Sequence, residues 1–181
     1  MSIEFQEFPK ITRLSRECII TEKIDGTNAQ IHIDENGILR CGSRTRWLTI
    51  HDDNHGFANW AAANEAELLK LGPGRHFGEW WGAGIQRGYG LPKGEKRFSL
   101  FNTSRWTADN VPACVHVVPV LWRGIFNTEI VSTMIERLRT LGSVAAPGFM
   151  RPEGIVLYHV AGNLFFKKTI EKDEEPKSKA K

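Results

Sequence analysis

Short apolar runs joined by turns rather than by helices set the fold. Residues 18–24 (CIITEKI) form a brief β-branched run that stops at Asp25-Gly26, a turn pair. The stretch NAQIHID alternates, with Ala29, Ile31 and Ile33 on one face and Gln30, His32 and Asp34 on the other, the period of a half-buried strand. Glu35-Asn36-Gly37 then turns into ILRCGS, so residues 28–43 read as a hairpin. RHFGEWWG and RFSLFN read as two more strands, and VHVVPVL (115–121) as another with an edge or bulge at Pro119. GIVLYHV and NLFFKKT form a closing hairpin around 161–163. Two helices interrupt this pattern. One spans 57–71 and is stopped by Gly72-Pro73; the other runs from an Asn127 cap to Gly142, with Ile130, Met134, Leu138 and Leu141 on one face. Such an order predicts an α+β fold with antiparallel sheets and a few flanking helices.

At 181 residues the chain is long enough to bury one sizeable core. No apolar run reaches the ~18–20 residues of a membrane span, and MSIEFQEFPK has no secretory pattern. Three cysteines without CxxC spacing argue against a disulfide framework or structural zinc and fit a cytoplasmic protein. The 24 basic and 21 acidic residues leave +3, which permits a polyanionic partner without requiring one. There is no GxGxxG and no GxxxxGK[ST], so neither a Rossmann nor a P-loop site is supported.

The most informative segment is Glu22-Lys23-Ile24-Asp25-Gly26-Thr27-Asn28. A lysine held at a strand end by a tight turn is placed to act as a nucleophile. A free lysine, with pKa ≈ 10.4, is protonated at pH 7, and attack needs the neutral amine; burial and nearby positive charge lower the pKa toward that. Read by itself, Lys-x-Asp-Gly is usually a hairpin with a solvated lysine. His51-Asp52-Asp53-Asn54-His55 has the look of a metal box but reads as a polar loop capping the helix near Phe57. Of the six tryptophans, Trp47 and Trp106 are candidates for exposed base-stacking platforms.

KIDGTN resembles the nucleotidyl-transfer motif of the covalent nucleotidyltransferases, and EKIDGTN is most similar to ATP-dependent RNA ligases of the phage type-2 and RNA-editing group. The other motifs of that superfamily follow in order: SRTR at 43–46, FGEWWG at 77–82, RFSLFN at 97–102, EGIVLY at 153–158 and FFKKT at 165–169. The resemblance implies the fold of a ligase adenylation domain and a lysyl-AMP intermediate on Lys23. It implies Glu79 on the ribose, Phe98 (in preference to Phe101) stacked on adenine, and Arg44 (or Arg46) on sugar or phosphate. Glu153 serves a divalent metal, Mg²⁺ or Mn²⁺, with Asp25 as a second candidate. Lys167 and Lys168 serve the α-phosphate. Asn28 is a candidate for the sugar or simply finishes the turn, and Glu22 is a candidate for the adenine edge.

The chain departs from the family in two ways. The last-motif lysines are usually one residue apart, whereas Lys167 and Lys168 are adjacent; strand alternation turns adjacent side chains to opposite faces, which favours Lys167. Residues 1–170 read as the adenylyltransferase domain and 171–181 as a polar, disordered tail, with no C-terminal accessory domain. The expected activity is minimal ATP-dependent RNA ligation: AMP passes from Lys23 to a 5′-phosphate end, which a 3′-hydroxyl then attacks. RNA ends, or DNA ends, are the expected partners, with a protein partner as a substitute for the accessory domain. The alternatives are a non-catalytic nucleotide- or RNA-end-binding module and a DNA-ligase or capping-type nucleotidyltransferase.

Overall fold

Ten strands divide between two sheets in the computed structural model, which describes residues 3–171, 173 and 174. In chain order they are β1 (Glu17–Lys23), β2 (Thr27–Ile33), β3 (Leu39–Ser43), β4 (Trp47–Leu48), β5 (Gly74–Gly82), β6 (Lys96–Leu100), β7 (His116–Val117), β8 (Val120–Ile125), β9 (Gly154–His159) and β10 (Leu164–Thr169). The smaller sheet has the order β10-β9-β1-β8, the larger β4-β3-β2-β5-β6-β7. All pairs are antiparallel except β6–β7. Most of the expected tail lies outside the described residues. Among the described residues no helix is long and apolar enough to cross a membrane.

Alternation along each strand assigns its two faces. In the larger sheet Ala29, Ile31, Ile33, Cys41, Trp80, Phe98 and Leu100 face a core completed by Phe57, Ala61, Leu68 and Leu71. In the smaller sheet Cys18, Ile20, Ile155 and Leu157 pack against Met134, Ile135 and Leu138. A third cluster (Ile24, Trp81, Tyr89, Val118, Ala146) joins residues from the ends and connections of both sheets.

The C-terminal helix forms over Thr128–Leu141, as the period predicts, with the Asn127 side chain accepting from the Ile130 amide. The helix expected over 57–71 is instead broken into α-helices at Phe57–Ala63 and Glu65–Leu68 and a 3₁₀ turn at Leu69–Leu71. The break is at Asn64, whose backbone leaves the helical region (φ −115°, ψ 17°) and whose side chain donates back to the Trp60 carbonyl. The run 115–121 also splits, because Pro119 marks the crossing from one sheet to the other: β7 joins the larger sheet and β8 the edge of the smaller. The Pro119 carbonyl accepts from the Glu22 amide.

Candidate active site

Lys23 ends β1, and its strand neighbour in β9 is Gly154. That register brings the next residue in the chain, Glu153, alongside: Lys23 Nζ lies 2.5 Å from Oε2 of Glu153, a carboxylate that is almost wholly buried. The turn after Lys23 is held from both sides. The Asp25 amide donates to the Tyr89 hydroxyl at 2.9 Å, and the Asp25 carboxylate accepts from Nε of Arg87 at 3.0 Å. Gly26 is required by close approach, since a Cβ there would stand 2.4 Å from the Trp80 carbonyl oxygen. Burial raises the Tyr89 phenol far above its ordinary range, so it stays a neutral hydrogen-bonding group.

Glu79, on β5, faces the same region. Its two oxygens accept from the Gly26 amide and from Nδ2 of Asn28, both at 3.0 Å. Burial pushes its carboxyl up to about 7, against the lowering by Lys23 and these donors; Glu153 adds to the rise. Glu79 and Glu153 thus share the field of one lysine.

The β9–β10 register pairs Lys167 with Val156 and Lys168 with Ile155. Ile155 belongs to the core under the C-terminal helix, so Lys168 is turned to that side, where its Nζ pairs with Asp173 at 3.0 Å. Lys167 is turned to the opposite face, which is the face of Lys23.

Two sequence-derived candidates are committed elsewhere. Glu22 is 1% exposed, and its carboxylate accepts from the Ser143 hydroxyl (2.6 Å) and the amides of Val144 (2.8 Å) and Ala145 (2.9 Å). It anchors a loop rather than facing open space. Phe98 is 0% exposed, its ring 5.1 Å from Phe57 and 5.8 Å from Trp60. In RFSLFN the residues on the Glu79 face are 97, 99 and 101: Ser99 is Glu79's strand partner and accepts from Nε1 of Trp81. Phe101, just past β6, is exposed on that face, and its amide donates to the Phe77 carbonyl.

Arg44 is exposed in the turn between β3 and β4, while Arg46 is held by Asp52 at 2.6 Å. The 51–55 loop caps the first helix: Asp53 accepts from the amides of Ala58 and Asn59. Burial pushes the Asp53 carboxyl up, but its hydrogen bonds from Ala58, Asn59 and Asn54 outweigh that and hold it below its usual range. Tyr89 and Arg87, which fix the Lys23 turn, sit in an irregular loop with no periodicity and carried no sequence signal.

Among the described residues no three His, Cys, Asp or Glu side chains are gathered to hold a metal ion. Glu153 still suits a hard divalent cation of the Mg²⁺ type, which is typically held by one or two carboxylates together with substrate phosphates.

The sequence model of one family, described as RNA ligase, matches residues 16–172. Among curated proteins no sequence matches. Solved structures of a Naegleria gruberi RNA ligase superpose well. A ligand-free variant gives a TM-score of 0.63 at 20% identity, covering 90% of this chain and 53% of that one. A variant with AMP and Mn gives 0.63 at 20% identity with the same coverage. A variant with ATP and Mn gives 0.60 at 19% identity, covering 90% and 52%. The chain thus spans about half the length of the solved ligases it matches. At this identity the superposition establishes a shared fold. The sequence match takes in every strand of both sheets, and the protein belongs to the RNA ligase family.

Proposed function

We propose that this protein is an ATP-dependent RNA ligase that works through a lysyl-AMP intermediate on Lys23. The observation that carries this reading is the convergence of Lys23, Glu153 and Glu79 at the end of β1, with Lys167 on the same face of the smaller sheet. In the first step Lys23 Nζ bonds to the α-phosphorus of ATP. The Lys23 ammonium first passes one proton to Glu153 and attacks as the neutral amine; the bond from that phosphorus to the bridging oxygen breaks, pyrophosphate leaves, and Nζ releases its second proton to solvent. Glu153, 2.5 Å away, is the nearest acceptor and fixes the direction of the amine. Lys167 offsets the negative charge that builds at the phosphorus. Glu153 is the residue that would hold a divalent cation, which would supply further charge neutralisation at the phosphate.

Glu79 is the proposed ribose partner, with Asn28 fixing its carboxylate. Phe101 is the proposed adenine-stacking ring in place of Phe98, because only Phe101 offers an exposed π-face. Arg44 remains the proposed contact to sugar or phosphate. Asp25, Glu22 and Tyr89 are assigned to holding the Lys23 turn and the neighbouring loop. In the later steps AMP passes from Nζ to the terminal 5′-phosphate of an RNA. A 3′-hydroxyl oxygen then attacks that phosphorus, its proton is lost, and AMP leaves.

The test is joining of an RNA with 5′-phosphate and 3′-hydroxyl ends in ATP and Mg²⁺ or Mn²⁺, beside the same RNA pre-adenylated and without ATP, and a nicked DNA. The proposal expects both RNA substrates to be joined, the second also by Lys23→Ala. Binding of ATP with neither RNA joined would replace the ligase reading by a non-catalytic binding module.

A further inference from the structure

The face of the larger sheet that carries Glu79 continues beyond the proposed nucleotide position. By register, Gln30 lies opposite Phe77 on one side and Gly42 on the other, and Gly42 lies opposite Trp47. One row across four strands, extended by the residue just past β6 whose amide donates to the Phe77 carbonyl, therefore reads Trp47, Gly42, Gln30, Phe77, Phe101. Its three aromatic members are all uncovered: Trp47 is 44% exposed, Phe77 52% and Phe101 41%. The opposite face of the same strands is core, so ordinary burial does not explain the row.

The Trp47 indole is supported. A Cβ at position 42 would stand 3.2 Å from its Cε3 and 3.1 Å from Cγ of Gln30, so glycine leaves the floor on which the ring rests. The Arg75 guanidinium carbon is 5.4 Å from the ring centroid, and Arg75 is braced by Oε1 of Gln30 at 3.0 Å. The His32 ring lies 6.0 Å away. The charges on this face of β2–β5 are the exposed Arg40 and Arg75 and the buried Glu79 at the far end, with Asp34 following on the same alternation just past β2.

We propose that Trp47 and Phe77 form a stacking track for the bases of single-stranded RNA, leading away from the transfer site, with Arg40 and Arg75 beside the strand's phosphates. It rests on the ligase reading and extends it to the position of the polynucleotide. The chemistry is that of a sequence-tolerant single-strand surface, in which aromatic faces take bases and basic side chains follow the backbone. At the usual spacing between strands, Trp47 and Phe77 are about 14 Å apart, so they engage different nucleotides. The continuity of Phe77 with Phe101 places the track's inner end at the nucleotide site.

The test uses the full chain and a 5′-phosphorylated single-stranded RNA with a blocked 3′ end, bound in fixed salt and followed by fluorescence anisotropy. Self-adenylation and sedimentation are measured on the same preparations. Trp47→Ala and Phe77→Ala are each expected to weaken RNA binding about 5- to 150-fold, the range for loss of one stacked base. Trp47→Phe retains most of the affinity, and all three variants take up AMP at the wild-type rate. Unchanged RNA affinity in both alanine variants overturns the track, as does a wild type that takes up AMP but binds no RNA. A wild-type dimer that Trp47→Ala dissolves, with RNA binding intact, gives the face to a second copy instead. RNA binding that depends on Trp47 in a protein that never takes up AMP keeps the track and removes the ligase reading.

Discussion

Lys23 Nζ and Glu153 Oε2 are 2.5 Å apart although 130 residues separate them in the chain. The contact exists because β1 and β9 are antiparallel neighbours whose register ends with Lys23 opposite Gly154. Breaking a pair this buried from one side leaves an uncompensated charge and typically costs about 3–5 kcal/mol. Sheet geometry therefore aims the lysine, and the turn bound by Tyr89 and Arg87 keeps the strand end in place.

Glu79 makes stability depend on pH in a particular window. Its folded carboxyl titrates at about 7, mainly through burial, against 4.5 for an ordinary glutamate. Between those values the unfolded chain has released a proton that the folded chain keeps, so stability falls as pH rises from about 4.5 to 7. The contribution is about 3 kcal/mol at its largest. Glu79→Gln should remove this part of the slope, checked by urea unfolding at pH 5 and pH 7.5. Equal slopes for the two proteins would refute the assignment.

Phe98 and Phe101 should separate stability from nucleotide use. Phe98→Ala empties a fully buried site and should cost about 3–5 kcal/mol in folding. Phe101→Ala should change folding by less than about 1 kcal/mol yet raise the KM for ATP roughly tenfold, a modest value for losing one stacked ring. Thermal unfolding and adenylation kinetics read both. A Phe101→Ala protein with wild-type KM would move the adenine elsewhere.

The adjacent lysines should differ sharply. Lys168 forms a half-exposed pair with Asp173 on the helix side, so Lys168→Ala should cost at most about 1 kcal/mol and leave adenylation near wild type. Lys167→Ala should slow the AMP-transfer step about 100-fold, the order seen when one preorganised charge-stabilising group is removed. Rapid-quench measurement of lysyl-AMP formation distinguishes them; the reverse order of effects would place the α-phosphate on the other face.

Glu22 tests whether a residue beside the nucleophile reads the base or holds the fold. Its carboxylate satisfies one hydroxyl and two amides of the 143–145 loop, and burial pushes its pKa up despite them. Glu22→Ala should lower folding stability by about 2–4 kcal/mol while leaving the preference for ATP over GTP unchanged in the folded fraction. A switch in base preference without loss of stability would reverse the assignment.

Much of the fold was legible because strand alternation and turn residues are local signals. The 28–43 hairpin, the helix from Asn127 to Gly142 and the closing hairpin all follow from them. The break at Asn64 depends on backbone angles that composition does not dictate, and the division at Pro119 depends on which sheet each half can join. At the site, alternation in RFSLFN already separates 98 from 101, and in FFKKT it separates 167 from 168. Which of the two faces is core, however, depends on helices distant in sequence. The roles of Tyr89, Arg87 and Ser143 arise only from three-dimensional proximity.

The most direct test of the account is the intact mass of the purified protein after incubation with ATP and a divalent cation, beside GTP, Lys23→Ala and Lys23→Arg. Arginine keeps a cation next to Glu153 but stays protonated and does not attack. The account predicts a gain of one AMP with ATP alone, absent from both variants. An adduct that persists in Lys23→Arg, or a wild type that binds ATP and never gains mass, would contradict it.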